Sequence, residues 1–341
     1  MLRTLFACIP ATMLAACGGD GTPPPAPPVA TAPDATWTSR CGQSPQPAAD
    51  AHYLGVTPDG AFGTWTFDTQ ALVSHYTVTD GLGITTHGTS TLHRDAATCS
   101  YIAEGTGALR TAFLANGLAV SSAQGASAAV PAMLVTQPQA SPAAVAGRYD
   151  LVRYMRVVQP SGTLVLAGYG TFTIDAQGAW SLCLDSAPGA SCTPEIGSSA
   201  VRSDGSFDIV MSGQVHAHMV VKDSGAAKLL LMAVANPFDP AQQISGMWIG
   251  RGEEASSVAT GRYVVGDVGG ATHVDALSAA GLAVDGAPAV ATTGDSPLPG
   301  YFALAGGTGI GFTSALGVIA IASPASANPG SIAFGVASSA P

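Results

Sequence analysis

The sequence predicts an all-β fold: antiparallel β-meander modules, barrel or sandwich, stapled by disulfides and carried behind a proline-rich stalk. Three observations predict it. Apolar residues in the body never hold a 3.6-residue period, whereas short runs rich in β-branched and aromatic residues recur between Gly, Asp-Gly and Pro punctuation. Strand alternation is explicit where Gly170-Thr171-Phe172-Thr173-Ile174-Asp175 and Ala179-Trp180-Ser181-Leu182-Cys183-Leu184 flank Ala-Gln-Gly178, a hairpin around a three-residue loop. Beyond the first twenty residues the cysteines are Cys41, Cys99, Cys183 and Cys192, an even set suited to an oxidising compartment.

At the N-terminus, Met-Leu-Arg3 precedes an apolar stretch from Leu5 to Leu14, a cationic start and a signal-length core too short to span a bilayer. The stretch ends in Leu14-Ala15-Ala16-Cys17, which resembles the lipobox of bacterial lipoproteins. That resemblance covers residues 1 to 21 and implies removal of residues 1–16 and acylation of Cys17 with palmitate-type chains. Three chains, at about 0.8 kcal/mol per buried methylene, make an effectively permanent anchor. Gly18 after the cysteine, rather than Asp, implies sorting to the outer membrane.

Residues 17–35 then form the lipidated cysteine and its linker, with Pro23, Pro24, Pro25, Pro27, Pro28 and Pro33. Proline removes amide donors and fixes φ, so this segment is expected as a stalk reaching about 55 Å at ~3.1 Å per residue. Among the four body cysteines, proximity favours Cys41–Cys99 and Cys183–Cys192, the second closing a loop around Pro188-Gly189. Loop-closure entropy assigns these bridges about 4 and about 3 kcal/mol, as upper values.

Charged residues are only 10 % of the chain, with Lys222 and Lys228 the sole lysines. Without Arg3 the balance is 11 basic against 22 acidic residues, or −11. No clustered Lys/Arg run exists to hold phosphates, which excludes a nucleic-acid partner.

The body divides into expected modules 36–139, 140–240 and 241–341. Their boundaries come from a weak repeat in which an apolar strand ends in Pro138, Pro237 or Pro324 and a Gly-led strand follows. Asp59-Gly60, Asp80-Gly81, Asp204-Gly205 and Asp285-Gly286 mark turns. Another hairpin joins GQVHAHMVV to KLLLMAVAN, and the continuous apolar run Leu229 to Ala235 predicts burial on both faces. Gly followed two residues later by an aromatic recurs at Trp65, Tyr149, Trp248 and Tyr263. The pattern resembles the first strand of lipocalin-like meander barrels, and in a chain with 42 glycines it is read as core aromatics.

Residues 296–341 carry no charge and no His. The stretch from Phe302 to Ala322 has transmembrane length, but its five glycines predict buried strands around a Gly-rich turn.

Catalytic motifs are absent: there is no Gly-x-Ser-x-Gly elbow, no His-Glu-x-x-His and no phosphate-cradling glycine loop. Gly294-Asp295-Ser296 is read as a turn. Strand alternation would put His216 and His218 on one face about 7 Å apart, able to converge on zinc or copper with a third ligand such as Asp208, His273 or Glu195. Two solvent-facing histidines are the simpler reading. Arg148, Tyr149, Arg153, Tyr154 and Arg156 concentrate cations and rings suited to an acidic headgroup, yet they would split over two faces as edge decoration.

The sequence therefore predicts a lipid-anchored, non-enzymatic envelope protein with no cofactor, partnered by the membrane and by envelope glycan, lipid or protein. The alternatives are a metal-dependent enzyme using His216 and His218, and a carrier of a hydrophobic ligand in a β-barrel.

Overall fold

The computed structural model describes residues 35–42, 46–47, 51–104, 110–124, 129–186, 191–225, 227–236, 243–252, 259–268, 272–284, 290–293, 296, 298, 300–323 and 330–338. The signal segment, Cys17, the proline stretch, Glu253-Glu254 and the turns at Pro188-Gly189 and Asp285-Gly286 lie outside these residues.

The first sheet contains β1 (Tyr53–Val56), β2 (Phe62–Asp68), β3 (Val73–Thr79), β4 (Thr85–Asp95), β5 (Ser100–Ala103), β6 (Arg110–Phe113), β7 (Leu118–Gln124) and β8 (Ala129–Thr136). It closes into a barrel through antiparallel pairing of β1 with β8. The second contains β9 (Gly147–Gln159), β10 (Gly162–Ile174), β11 (Ala179–Leu184), β12 (Glu195–Val201), β13 (Phe207–Met211), β14 (Gln214–Asp223), β15 (Lys228–Asn236) and β16 (Gln243–Gly252), closed by β16 on β9. The third contains β17 (Gly261–Asp267), β18 (Thr272–Ser278), β19 (Gly281–Ala283), β20 (Thr292–Thr293), β21 (Phe302–Leu304), β22 (Gly309–Ser314), β23 (Val318–Ser323) and β24 (Ser331–Ala337). Its hydrogen-bonded order runs from β19 round to β20. Leu282 and Val290 exchange two backbone hydrogen bonds of 2.9 and 2.7 Å, which complete the circuit. Each sheet is thus an eight-stranded up-and-down meander; ladder closure removes the exposed edges of the first two, and in the third a single bridge joins the β19 end to Val290, just ahead of β20.

Local sequence sets the hairpins. Asp175 accepts from the amides of Gln177 and Ala179, both at 2.9 Å, and Gly178 supplies a φ of +85°. Its amide returns to the Asp175 carbonyl, a type I turn followed by a left-handed glycine. The same closure recurs at Thr57–Gly60, Asp80–Gly83, Leu114–Gly117, Arg202–Gly205 and Ser314–Gly317. At Asp80-Gly81 the left-handed residue is therefore Gly83, two positions later than the dipeptide suggests.

Among the described residues, two short α-helices interrupt the β pattern. Helix α1 (Ala35–Cys41) is too short to show a helical period; it sits where the linker was expected to end and is held by Trp37 against Tyr101, at 5.3 Å between ring centroids. Helix α2 (Pro142–Val145) starts at Ser141, whose side chain caps the Ala144 amide, with Pro142 in the first turn. Cys41 pairs with Cys99 and Cys183 with Cys192, at Cα separations of 5.3 and 6.0 Å.

The cores explain the scarcity of charge. Inward-facing side chains fill each barrel, led by Trp65 in the first, Phe172 and Phe207 in the second and Ile319 in the third. Outward-facing side chains of all three meet in one further core that joins Val120 and Met133 to Leu231 and Ile249 and to Phe312 and Phe334. On β15, Leu229, Leu231 and Ala233 face that shared core while Leu230, Met232 and Val234 face the barrel interior. The two-sided burial expected of this run is present. The uncharged C-terminal residues follow the same rule: Ile319 and Ile321 point inward, Val318, Ala320 and Ala322 outward into the shared core. Residues 302–322 hold β21, a 3-10 turn at Ala305–Gly307, β22 and most of β23, and no described helix is long and apolar enough to cross a membrane.

Two expectations are corrected. The boundary at 240 would detach β16, whose pairing with β9 and β15 closes the second barrel, so the third begins after Gly252. The proline-marked repeat is out of phase: its first copy links β8 to β9 between barrels, whereas the others join the seventh strand to the eighth within one. A better-aligned echo is Gly-Arg-Tyr at the start of β9 and β17. There Tyr149 donates to the Val145 carbonyl (2.7 Å) and Tyr263 to that of Ala259 (2.9 Å), each four residues back.

Candidate functional site

The second barrel is paired least evenly at β12. Residues 195–197 pair with β11 and residues 199–201 with β13, and only Ser198 pairs with both. Across β13 the register to β14 shifts: Ile209 opposes Ala217 while Val210 opposes Val215, leaving His216 as an extra residue. A bulge of this kind breaks strict alternation and re-aims side chains.

That bulge overturns the expected histidine pair. His216 lines a cavity of about 180 Å³ in the second barrel together with Glu195, Met155, Met211, Trp180 and Trp248. His218 instead lines a cleft of about 550 Å³ on the barrel's outside, against Phe62, Asp80 and Gly81 of the first barrel. The two imidazoles therefore serve different spaces, and among the described residues no three His, Cys, Asp or Glu side chains could hold one metal ion. Of the proposed third ligands, Asp208 lies beside His218, Glu195 beside His216's cavity, and His273 in the third barrel, 3.4 Å from Asp275.

In the cleft, His218 Nδ1 donates to Asp208 Oδ1 at 2.8 Å and Arg202 Nη1 donates to the same oxygen at 3.0 Å. The His218 ring lies 5.3 Å from that of Phe62. Burial, reinforced by the Arg202 charge, pulls the His218 imidazole below its ordinary value, against the opposing pull of Asp208. Burial opposes the charge on Arg202 too, yet Asp208 and Asp204 outweigh it and raise its pKa. These charges satisfy one another, so the cleft reads as a structural seam.

The cavity has a different character. Phe172 and Trp180 stack over its wall at 5.9 Å between centroids, and the Trp180 indole donates to the Ser198 carbonyl at 2.9 Å. Met155, Met211 and Met232 supply adaptable thioether surface. Trp248 is only 6 % exposed, and its indole Nε1 has no partner among the described residues.

Arg153, expected as edge decoration, is buried at 5 % exposure. It stands between the inward-facing Leu151 and Met155, and its cross-strand neighbours are Trp248 on β16 and Gly168 on β10. Alternation therefore turns it into the barrel. Its Nη2 is 2.5 Å from Asp185 Oδ2, whereas its Nε has no partner among the described residues. Gly168 makes room for the pair: a Cβ there would lie 2.9 Å from Asp185 Oδ1 and 3.7 Å from Arg153 Nε. The rest of that cluster scatters. Tyr149 fills the barrel, Tyr154 joins the shared core, Arg148 lies 3.4 Å from Asp150, and Arg156 is exposed. Trp248, expected as a core aromatic, is one, whereas sequence reasoning missed Arg153 as an interior residue. The signal that would have found Arg153 is parity with Leu151 and Met155 on a strand buried on both faces.

No protein-family model matches the chain, and no curated protein does. A solved protein of unknown function from the DUF3598 family of Nostoc punctiforme aligns with 59 % of this chain and 93 % of its own, at 7 % identity and a TM-score of 0.25. A likeness at that level carries no inference.

Proposed function

We propose that the chain is a lipid-anchored, non-enzymatic binding protein of the bacterial cell envelope that carries a small hydrophobic ligand in its second barrel. The observation that supports the binding role is the cavity of about 180 Å³ lined by rings and thioethers. An apolar cavity of about 150 Å³ is enough to admit benzene, so this one suits a ring with a few further atoms. The anchor rests on Leu14-Ala15-Ala16-Cys17, and Gly18 favours the outer membrane as its address. Neither claim needs a metal or a catalytic group.

Mass spectrometry of organic extracts from the native protein tests carriage. A co-purifying apolar compound, lost when Met232→Trp fills the cavity, is expected; clean extracts together with a cavity that takes up no added ring would refute it. Labelled palmitate tests the anchor: incorporation abolished by Cys17→Ser is expected, and an unlabelled protein would refute it.

A further inference from the structure

Among the second barrel's buried donors with no partner among the described residues, two sit on direct cross-strand neighbours: the Nε–H of Arg153 and the Nε1–H of Trp248. Leaving a buried N–H without an acceptor costs about 1–3 kcal/mol, and native proteins rarely tolerate one without reason. Two on adjacent strands, inside the barrel whose cavity Trp248 lines, mark a place where an acceptor atom is missing.

Charge selects which acceptor. Arg153 is already neutralised by Asp185, and the Glu195 carboxylate on the cavity lining is exposed to solvent. A ligand carboxylate would bring an uncompensated negative charge into an apolar space, at a desolvation cost that a neutral oxygen avoids. The volume adds a size limit of roughly a ring and two or three further atoms.

Building on the carrier reading above, we infer that the second barrel recognises an uncharged, ring-sized apolar molecule through one carbonyl-type oxygen, which accepts from Trp248 Nε1 and Arg153 Nε. Apolar burial in the cavity supplies affinity. The paired donors supply selection, because a shape-matched hydrocarbon leaves both unsatisfied.

Acetophenone and isopropylbenzene, matched in shape but differing in the oxygen, are the probes, with benzoate as the anionic control. Binding is measured by equilibrium dialysis against the full-length protein in lipid nanodiscs, with empty nanodiscs as the blank. Acetophenone should bind about ten-fold more tightly than isopropylbenzene, as expected when a neutral hydrogen bond relieves a buried donor. Benzoate should bind more weakly than acetophenone. Trp248→Phe should reduce the preference for acetophenone over isopropylbenzene to about two-fold or less. In a ¹⁵N-Trp spectrum, the one indole signal missing from Trp248→Phe should shift with acetophenone alone. Equal binding of the two probes, or an unchanged preference in Trp248→Phe, overturns the inference and leaves the carrier reading standing. Tighter binding of benzoate overturns the choice of a neutral acceptor. Failure of every probe to bind overturns the carrier reading and this inference with it.

Discussion

Leu230 and Leu231 are neighbours on β15 that face different cores, the first inside the second barrel and the second in the shared core between barrels. Their exposures are 0 % and 1 %, so truncation to Ala removes contacts of equal depth on opposite faces of one strand. Three buried methylene equivalents are worth about 2.4 kcal/mol by transfer, and the residual void brings each substitution to about 3–4 kcal/mol. Urea unfolding followed by tryptophan fluorescence and far-UV dichroism measures both. Near-equal losses are expected, because neither face of β15 meets water. The shared core also ties the barrels together, so Leu231→Ala should lower the midpoint of one transition seen by both probes. A loss under about 0.5 kcal/mol for Leu231→Ala, the scale of a surface change, would refute the outer-face packing. Separate transitions for the barrels would refute their coupling.

Three further outcomes follow from individual sites. His218 has its pKa pulled below the ordinary 6.5 in the folded protein, so the unfolded chain binds more protons between the two values. Stability is therefore full above about pH 6.5 and falls as pH drops towards the folded value, by at most about 1.4 kcal/mol per pH unit. Urea midpoints from pH 7.5 to 5 should show a shallower fall in His218→Gln, and an unchanged slope would refute the linkage. Replacing Cys41 and Cys99 together by Ser opens a loop of sequence separation 58 and frees α1, with an expected loss of up to about 4 kcal/mol. Calorimetry checks it, and an unshifted melting temperature would count against the bridge. Gly197→Ala would drive a methyl into the Val210 carbonyl and the Trp180 ring. A loss of about 1–3 kcal/mol from overpacking is expected by urea titration, and a neutral result would mean that β12 can move aside.

Local features of the fold were legible in the sequence. The hairpin from Gly170 to Leu184 pairs as its alternation implied, with Phe172 opposite Leu182. The cysteines pair by proximity, and the Leu229–Ala235 run is buried on both sides. What was illegible depends on partners distant in sequence. His216 and His218 looked like one face because alternation was assumed through a bulge that only pairing with β13 reveals. Arg153 looked like a surface cation because a charge on a strand is usually solvated, and nothing local announces that Asp185 and Gly168 lie across from it. The phase of the repeat failed for a similar reason. A proline after an apolar strand marks a connection without saying whether the next strand stays in the same barrel.

The low charge of this chain is a consequence of how the barrels are joined. A lone meander barrel faces water over its whole outside and needs polar residues at every second position. Here the outer faces of β7, β15, β16, β22, β23 and β24 contribute to one apolar core, so those strands lose the polar half of the pattern. The charges that do occur at this junction reach backbone oxygens across it. Lys222 donates to the Thr136 carbonyl at 2.9 Å and Arg251 to that of Thr313 at 3.3 Å, so each tethers the second barrel to a neighbour. The uncharged residues 296–341 therefore give no support to ligand carriage by the third barrel, since Phe312, Val318 and Phe334 are accounted for by packing between barrels. The argument for carriage passes to the second barrel, where rings and thioethers line a space and two donors inside the same barrel lack acceptors.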